Sequence, residues 1–174
     1  MISSLPSSLK THVAWRFDAV LPGTFRRRKA DFAHLEYPVL GPLPSAGCKT
    51  GPRESASSPG PFVYFVVDDQ EHVRYIGKSL EAHVLHRWMR PGVGGPANYY
   101  WTHSTRSGGC VFAIARGLQS GESRHFTLRY ASIADLPEEL VNCEATLLDL
   151  QPEMAAQHAE LALIRALRPD WNKL

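Results

Sequence analysis

Along the chain, the spacing of apolar and polar positions changes several times, and each change marks an element. Phe62-Val63-Tyr64-Phe65-Val66-Val67 is apolar throughout, Asp68-Asp69-Gln70-Glu71 is polar, and Val73-Arg74-Tyr75-Ile76 is a second run rich in β-branched and aromatic residues. This pattern predicts a β-hairpin. If the four polar residues form its loop, Val67 stands opposite His72 and Tyr64 directly opposite Tyr75. The two phenols then share one face, with Cβ atoms about 4.5 to 5.5 Å apart. Gly77 ends the second strand, and Leu80 to Met89 reads as a short helix with Leu80, Val84, Leu85 and Trp88 on its apolar face, Arg87 beside it and Pro91 as its stop. Cys110 to Ala115 and Phe126 to Ile133 read as third and fourth strands, antiparallel across the turn region Gly117 to Arg124. The segment Asn98 to Ser107, with Tyr99, Tyr100, Trp101 and His103, has no clear period and receives no element.

Toward the end of the chain the period becomes helical. Asp135-Leu136-Pro137-Glu138-Glu139 opens a short helix with early proline and acid, and Pro152 starts a longer one. In the longer helix Ala156, Leu163, Ile164 and Leu167 recur at helical spacing until Pro169 halts it. Glu160 falls on that same face, so an acid points toward the core. A carboxylate removed from water needs a cation, a metal or strong hydrogen-bond donors, and pairing of a helix-edge glutamate with a basic residue is the plain alternative to a functional role.

The front of the chain differs in composition. Residues 1–60 carry eight Lys+Arg against four Asp+Glu, whereas residues 61–174 carry 11 against 13, so the formal charge of +2 comes from the front. The same 60 residues contain seven Pro, five Gly and eight Ser, which favour turns over packed elements. The division expected is a basic, largely irregular N-terminal arm and linker over 1–60, with Pro38 to Pro61 as linker, and a folded domain over 61–174. Val13, Trp15, Phe17, Val20, Leu21 and Phe25 are apolar residues suited to docking on a surface. The basic run Arg26-Arg27-Arg28-Lys29 after them reads as a solvated arm, a phosphate contact or part of an organellar transit peptide. Apolar residues make up 44% and charged residues 21% of the chain, a globular balance. No apolar run approaches the roughly 18 to 20 residues of a membrane-spanning helix. Cys48, Cys110 and Cys143 are an odd count with no zinc-like spacing. A cytoplasmic protein with no membrane partner is therefore expected.

Taken in order, several of these motifs resemble the GIY-YIG nuclease superfamily over about residues 62–172. The first motif is degenerate, as Val63-Tyr64-Phe65, while the second is intact as Tyr75-Ile76-Gly77 and continues as Lys78-Ser79. A helix arginine follows at Arg87, 12 positions after Tyr75, with Arg90 as the other match for that arginine. The tail Glu160 to Ile164 to Pro169-Asp170-Trp171-Asn172 is similar to the family's ending. Where the family often has a histidine or tyrosine one turn after the arginine, this chain has Pro91; His86, Tyr100 or His103 is left to fill that role, and His103 is preferred.

What the resemblance implies is an α+β fold, a small and mostly antiparallel sheet flanked by helices; the Pro/Gly/Ser-rich N-terminal extension before it is read from composition and lies outside the resemblance. The implied activity is divalent-metal-dependent endonucleolytic hydrolysis of DNA phosphodiesters. One Mg²⁺ (or Mn²⁺) would be held by Glu160, since Mg²⁺ prefers one or two carboxylates plus water and phosphate oxygens. Arg87 would neutralise charge on the phosphate, Tyr64 and Tyr75 would handle the attacking water, and Asn172 would hold the site by hydrogen bonds. Lys78 and Arg90 would contact substrate. A tyrosine with an ordinary pKa of about 10 needs a nearby cation to serve as a base. Ordinary strand packing is the plain reading of the two tyrosines. Two other classes compete with the nuclease: a nucleic-acid-binding module of the same fold with little catalysis, and a protein-interaction domain using Tyr99, Tyr100 and Trp101.

Overall fold

The computed structural model describes residues 4–26, 36–43, 60–81, 83–91, 99–101, 109–141 and 150–172, with the side chains of 25, 26, 90, 91, 99 and 100 outside that description. The fold is α+β. Strands β4 (Phe62–Val67) and β5 (Val73–Ser79) form the expected hairpin, and β8 (Phe126–Ser132) lies on the other side of β4. The fourth strand, β1 (His12–Phe17), comes from the N-terminal region and pairs with β8, so the sheet order is β1-β8-β4-β5. Every strand pairing among the described residues is antiparallel.

β4 is buried along its whole length and packs on both faces, which accounts for its unbroken apolar run. On one face Phe62, Tyr64 and Val66 join Phe17, Leu128 and Tyr130 under α1 (Val84–Trp88) and α2 (Gly109–Ser120). On the other, Val63, Phe65, Val67 and Ile76 meet Ala155, Ala156, Ala159, Leu163 and Leu167 of α4 (Pro152–Leu167), with α3 (Glu138–Val141) beside it. Proline at the first turn fixes where α4 begins, and Arg168 in the left-handed conformation, followed by Pro169, ends it.

Several expectations are corrected. The stretch 1–60 is not largely irregular where it is described. Besides β1, it contributes β2 (Ala19–Arg26) and β3 (Glu36–Gly41), a two-stranded sheet packed against α2. Phe17 and Tyr37 are fully buried, and burial of such side chains outweighs the turn-rich composition around them. The expected linker is a strand over Pro38 to Gly41, while its stretch 44–59 and the basic residues Arg27, Arg28 and Lys29 lie outside the described residues. Cys110 to Ala115 is helix, not strand: Cys110, Val111, Ile114 and Ala115 are buried one turn apart, a helical period. The helix expected over Leu80 to Met89 is confined to Val84–Trp88, Leu80 is exposed, and Met89–Pro91 instead pairs as β6 with β7 (Tyr99–Trp101).

The hairpin register also differs. Val67 pairs with Val73 and Val66 with Tyr75, with a bulge between, and Tyr64 lies opposite Gly77 rather than Tyr75. The Asp68 carboxylate makes the difference. Its Oδ1 accepts the N–H groups of Gln70 and His72, each at 2.9 Å, and Glu71 adopts a left-handed φ of 64°, so the turn closes around a longer loop. For the tyrosines the shift is by two positions, one full strand repeat, so both keep the same face.

Candidate functional site

β5 is an edge strand, and the site is built around that edge. The backbone groups that point away from the sheet belong to Arg74, Ile76 and Lys78, and the C-terminal part of the chain bonds to the first two and lies beside the third. The Arg74 carbonyl accepts the Trp171 N–H at 3.0 Å. Asn172 makes a paired amide contact with Ile76, its Oδ1 accepting the Ile76 N–H and its Nδ2 donating to the Ile76 carbonyl, both at 2.8 Å. The Glu160 carboxylate lies beside Lys78, whose backbone N–H helps to hold it ionised. An open sheet edge invites pairing with other chains, and here it is sealed by α4 and the segment after it.

On the α1 side of the edge sit the phenols. Tyr64 and Tyr75 are stacked with ring centroids 6.2 Å apart, and Trp88 meets Tyr64 edge-on at 5.6 Å. Tyr64 lies flat over the space a side chain at residue 77 would occupy. A Cβ on Gly77 would stand 2.7 Å from Tyr64 Cε2, and nearer still to Cζ and Oη. Arg87, from the last turn of α1, hydrogen-bonds to Tyr64, while its Nε is buried with no acceptor among the described residues. Burial pushes both tyrosine pKa values up, helped at Tyr64 by Tyr75 and Cys110 and at Tyr75 by Cys110 and Glu160; Arg87 opposes the rise at each. Both phenols are therefore neutral at ordinary pH.

On the α4 side of the same edge is Glu160, 20% exposed, with Lys78 Nζ 3.6 Å from its Oε2. Desolvation raises its pKa, and the Lys78 ammonium and then Arg87 counter that rise. Glu160, Arg87 and Tyr75 are thus close enough for each charge to act on the others. The structure brings together Tyr64, Tyr75, Lys78, Arg87 and Glu160, and anchors Asn172 on the strand between the two faces. It places the backbone of Arg90 in β6, but the Arg90 side chain and all of His103 lie outside the described residues.

The donor set suits a hydrated hard cation. One partly exposed carboxylate with neutral hydroxyls nearby leaves most coordination positions to water or to a substrate's oxygens, as Mg²⁺ prefers. Among the described residues no three His, Cys, Asp or Glu side chains gather as a caged ion would require. Elsewhere three arginines are matched by acids. Arg74 is held by Asp68, Glu122 and Asp170 beneath the Trp171 ring, Arg124 by Asp69, and Arg129 by Glu71. Arg106 lies outside the described residues.

Two participants were not found in the sequence. Cys110 lies against the phenols, and reading its segment as a strand hid it; the helical period of Cys110, Val111 and Ile114 was the available signal. The requirement for glycine at residue 77 follows from the true register, Tyr64 opposite Gly77. No protein-family model, curated protein or solved structure matches this chain. No helix among the described residues is long and apolar enough to cross a membrane.

Proposed function

We propose that this chain is a divalent-metal-dependent endonuclease of the GIY-YIG kind, hydrolysing phosphodiester bonds in DNA. The observation that carries the reading is the common electrostatic neighbourhood of Glu160, Arg87 and Tyr75, with Tyr64 bonded to Arg87, at one sheet edge. Strand packing alone explains a pair of buried tyrosines. It does not call for a guanidinium on one side and a desolvated acid on the other.

In this mechanism Glu160 holds the cation. A bound Mg²⁺ or Mn²⁺ would supply activation of water and charge stabilisation for the phosphoryl group. Arg87, charged at every relevant pH, would lay the open side of its planar fork against the phosphate, its buried Nε having no acceptor among the described residues. Tyr64 and Tyr75 orient the attacking water through neutral hydroxyls. The Arg87 bond favours the ionised form of Tyr64, and added positive charge in the site brings that phenol closer to accepting the water's proton. Asn172 holds Ile76, and with it the flanking Tyr75 and Gly77, at a fixed place on the edge.

The test is incubation of the purified chain with supercoiled DNA and Mg²⁺ beside Glu160→Ala and Arg87→Ala, each checked for intact fold by circular dichroism. Loss of about 100-fold or more in cutting rate is expected for each, the scale of a lost transition-state contact. Cutting that survives Glu160→Ala overturns the metal role. One observation favours a second reading, a nucleic-acid-binding module with little catalysis: Glu160 already has Lys78 as a partner. Salt-dependent DNA binding with no cleavage in Mg²⁺ or Mn²⁺ selects that reading.

A further inference from the structure

Two cations stand near Glu160, and they are held in different ways. Arg87 rises from α1, hydrogen-bonds to the buried Tyr64 and forms no ion pair with an acid among the described residues. Lys78 meets Glu160 twice: its backbone N–H favours the ionised carboxylate, and its ammonium lies 3.6 Å from Oε2. The backbone N–H belongs to β5 and stays in place when the side chain moves. The second is longer than an ordinary N–H···O hydrogen bond and sits at the end of a flexible four-carbon stem, with the lysine side chain 28% exposed. The ammonium can therefore leave while the carboxylate keeps its aim.

We propose that the Lys78 ammonium is the resident counter-ion of Glu160, which a divalent cation displaces when it takes the carboxylate, freeing Lys78 to meet an anionic substrate. This rests on the metal reading of Glu160 and adds a role for Lys78 to it. A desolvated carboxylate without a partner is costly, so something must neutralise Glu160 before the metal arrives. Lys78 does this, and exchange never leaves the acid unpaired. It also changes the charge presented at the edge. The ammonium is no longer consumed by Glu160, and the incoming ion brings two further positive charges, so the site becomes receptive to a phosphodiester only once loaded. Substrate affinity and metal binding are thereby linked through one side chain.

The experiment is a titration of isotope-labelled protein with MnCl₂, read as paramagnetic broadening of the Tyr75 ring resonances, with no substrate and no turnover. Wild type, Lys78→Met, Lys78→Gln, Glu160→Gln and Arg165→Met are compared. Arg165 is an exposed base in the last turn of α4 and controls for general loss of positive charge. Both Lys78 variants are expected to reach half-broadening at about three- to fivefold lower Mn²⁺ than wild type, the scale of a partly exposed ion pair. Arg165→Met should shift it by less than about 1.5-fold, since screening at that range is strong, and Glu160→Gln should abolish the broadening. Equal or weaker Mn²⁺ binding in the Lys78 variants, or an equal gain in Arg165→Met, overturns the exchange while leaving the metal role of Glu160 intact. Absence of broadening in wild type and both Lys78 variants, or its survival in Glu160→Gln, overturns the metal role, and the exchange with it.

Discussion

Gly77 is the position where the geometry makes the sharpest demand. A methyl group added there would stand 2.7 Å from Tyr64 Cε2 and closer still to Cζ and Oη, so the ring must move. It has little room to do so: Tyr64 is 1% exposed, stacked on Tyr75, met by the Trp88 edge and bonded to Arg87. Overpacking of such a site destabilises by about 1 to 3 kcal/mol. Against this, replacing glycine in a strand recovers about 0.5 to 1 kcal/mol of conformational freedom otherwise lost on folding. Gly77→Ala is therefore expected to lower unfolding free energy by about 1 to 2 kcal/mol, measured by urea denaturation with an unchanged slope. The cause is tested in a second background. In Tyr64→Leu the obstructing ring tip is gone, and there Gly77→Ala should be neutral or slightly stabilising. An equal penalty in both backgrounds, or none in either, refutes the claim that the Tyr64 ring is what requires glycine.

Two further outcomes follow from the sealed edge and from the acid beside it. Asn172→Ala removes both amide bonds to Ile76 and should cost about 1 to 3 kcal/mol, with the Ile76 amide losing its hydrogen-exchange protection before the amides of β4 do; unchanged protection at Ile76 refutes the edge-sealing role. For Glu160 the folded pKa lies above the unfolded one, chiefly through burial, so the native state binds the extra proton. Stability relative to Glu160→Gln should then fall as pH rises from the ordinary glutamate range through that raised value, and stay flat below it. A difference that grows with pH in the opposite sense would mean that Lys78 and Arg87 outweigh desolvation.

The hairpin and the terminal helix were legible because each has a short-range signature: a β-rich run broken by polar residues in one case, a helical period between two prolines in the other. The shared face of Tyr64 and Tyr75 was legible for the same reason, and it survived a wrong register because the misplacement was by one strand repeat. What short-range pattern cannot reveal is pairing across distance. β1 joins β8 more than 100 residues away in sequence, and its alternation is interrupted by a bulge between Val13 and Trp15, so the segment reads as a loose apolar arm. Cys110 to Ala115 reads as a strand because apolar residues crowd it and mask its helical period. Once Gly117 and Leu118 are included, the buried positions follow a turn of helix, and the glycine that looked like the start of a turn is where Phe126 packs against the helix.

The same edge bonds that position the site also complicate how it must be tested. Asn172 and Trp171 occupy outward-facing backbone groups of β5 and Glu160 lies beside a third, so residues proposed for chemistry also help to close the sheet. Loss of activity on removing Glu160 has two physical sources, a missing cation ligand and an exposed strand edge. Substitution chemistry separates them. Glutamine keeps an oxygen that accepts the Lys78 N–H but presents no anionic carboxylate to the cation or to Lys78 Nζ, whereas alanine removes both. If Glu160 acts only by sealing the edge, Glu160→Gln retains function and Glu160→Ala does not. If it acts on a cation, both variants fail alike while Glu160→Gln keeps the hydrogen-exchange protection of β5.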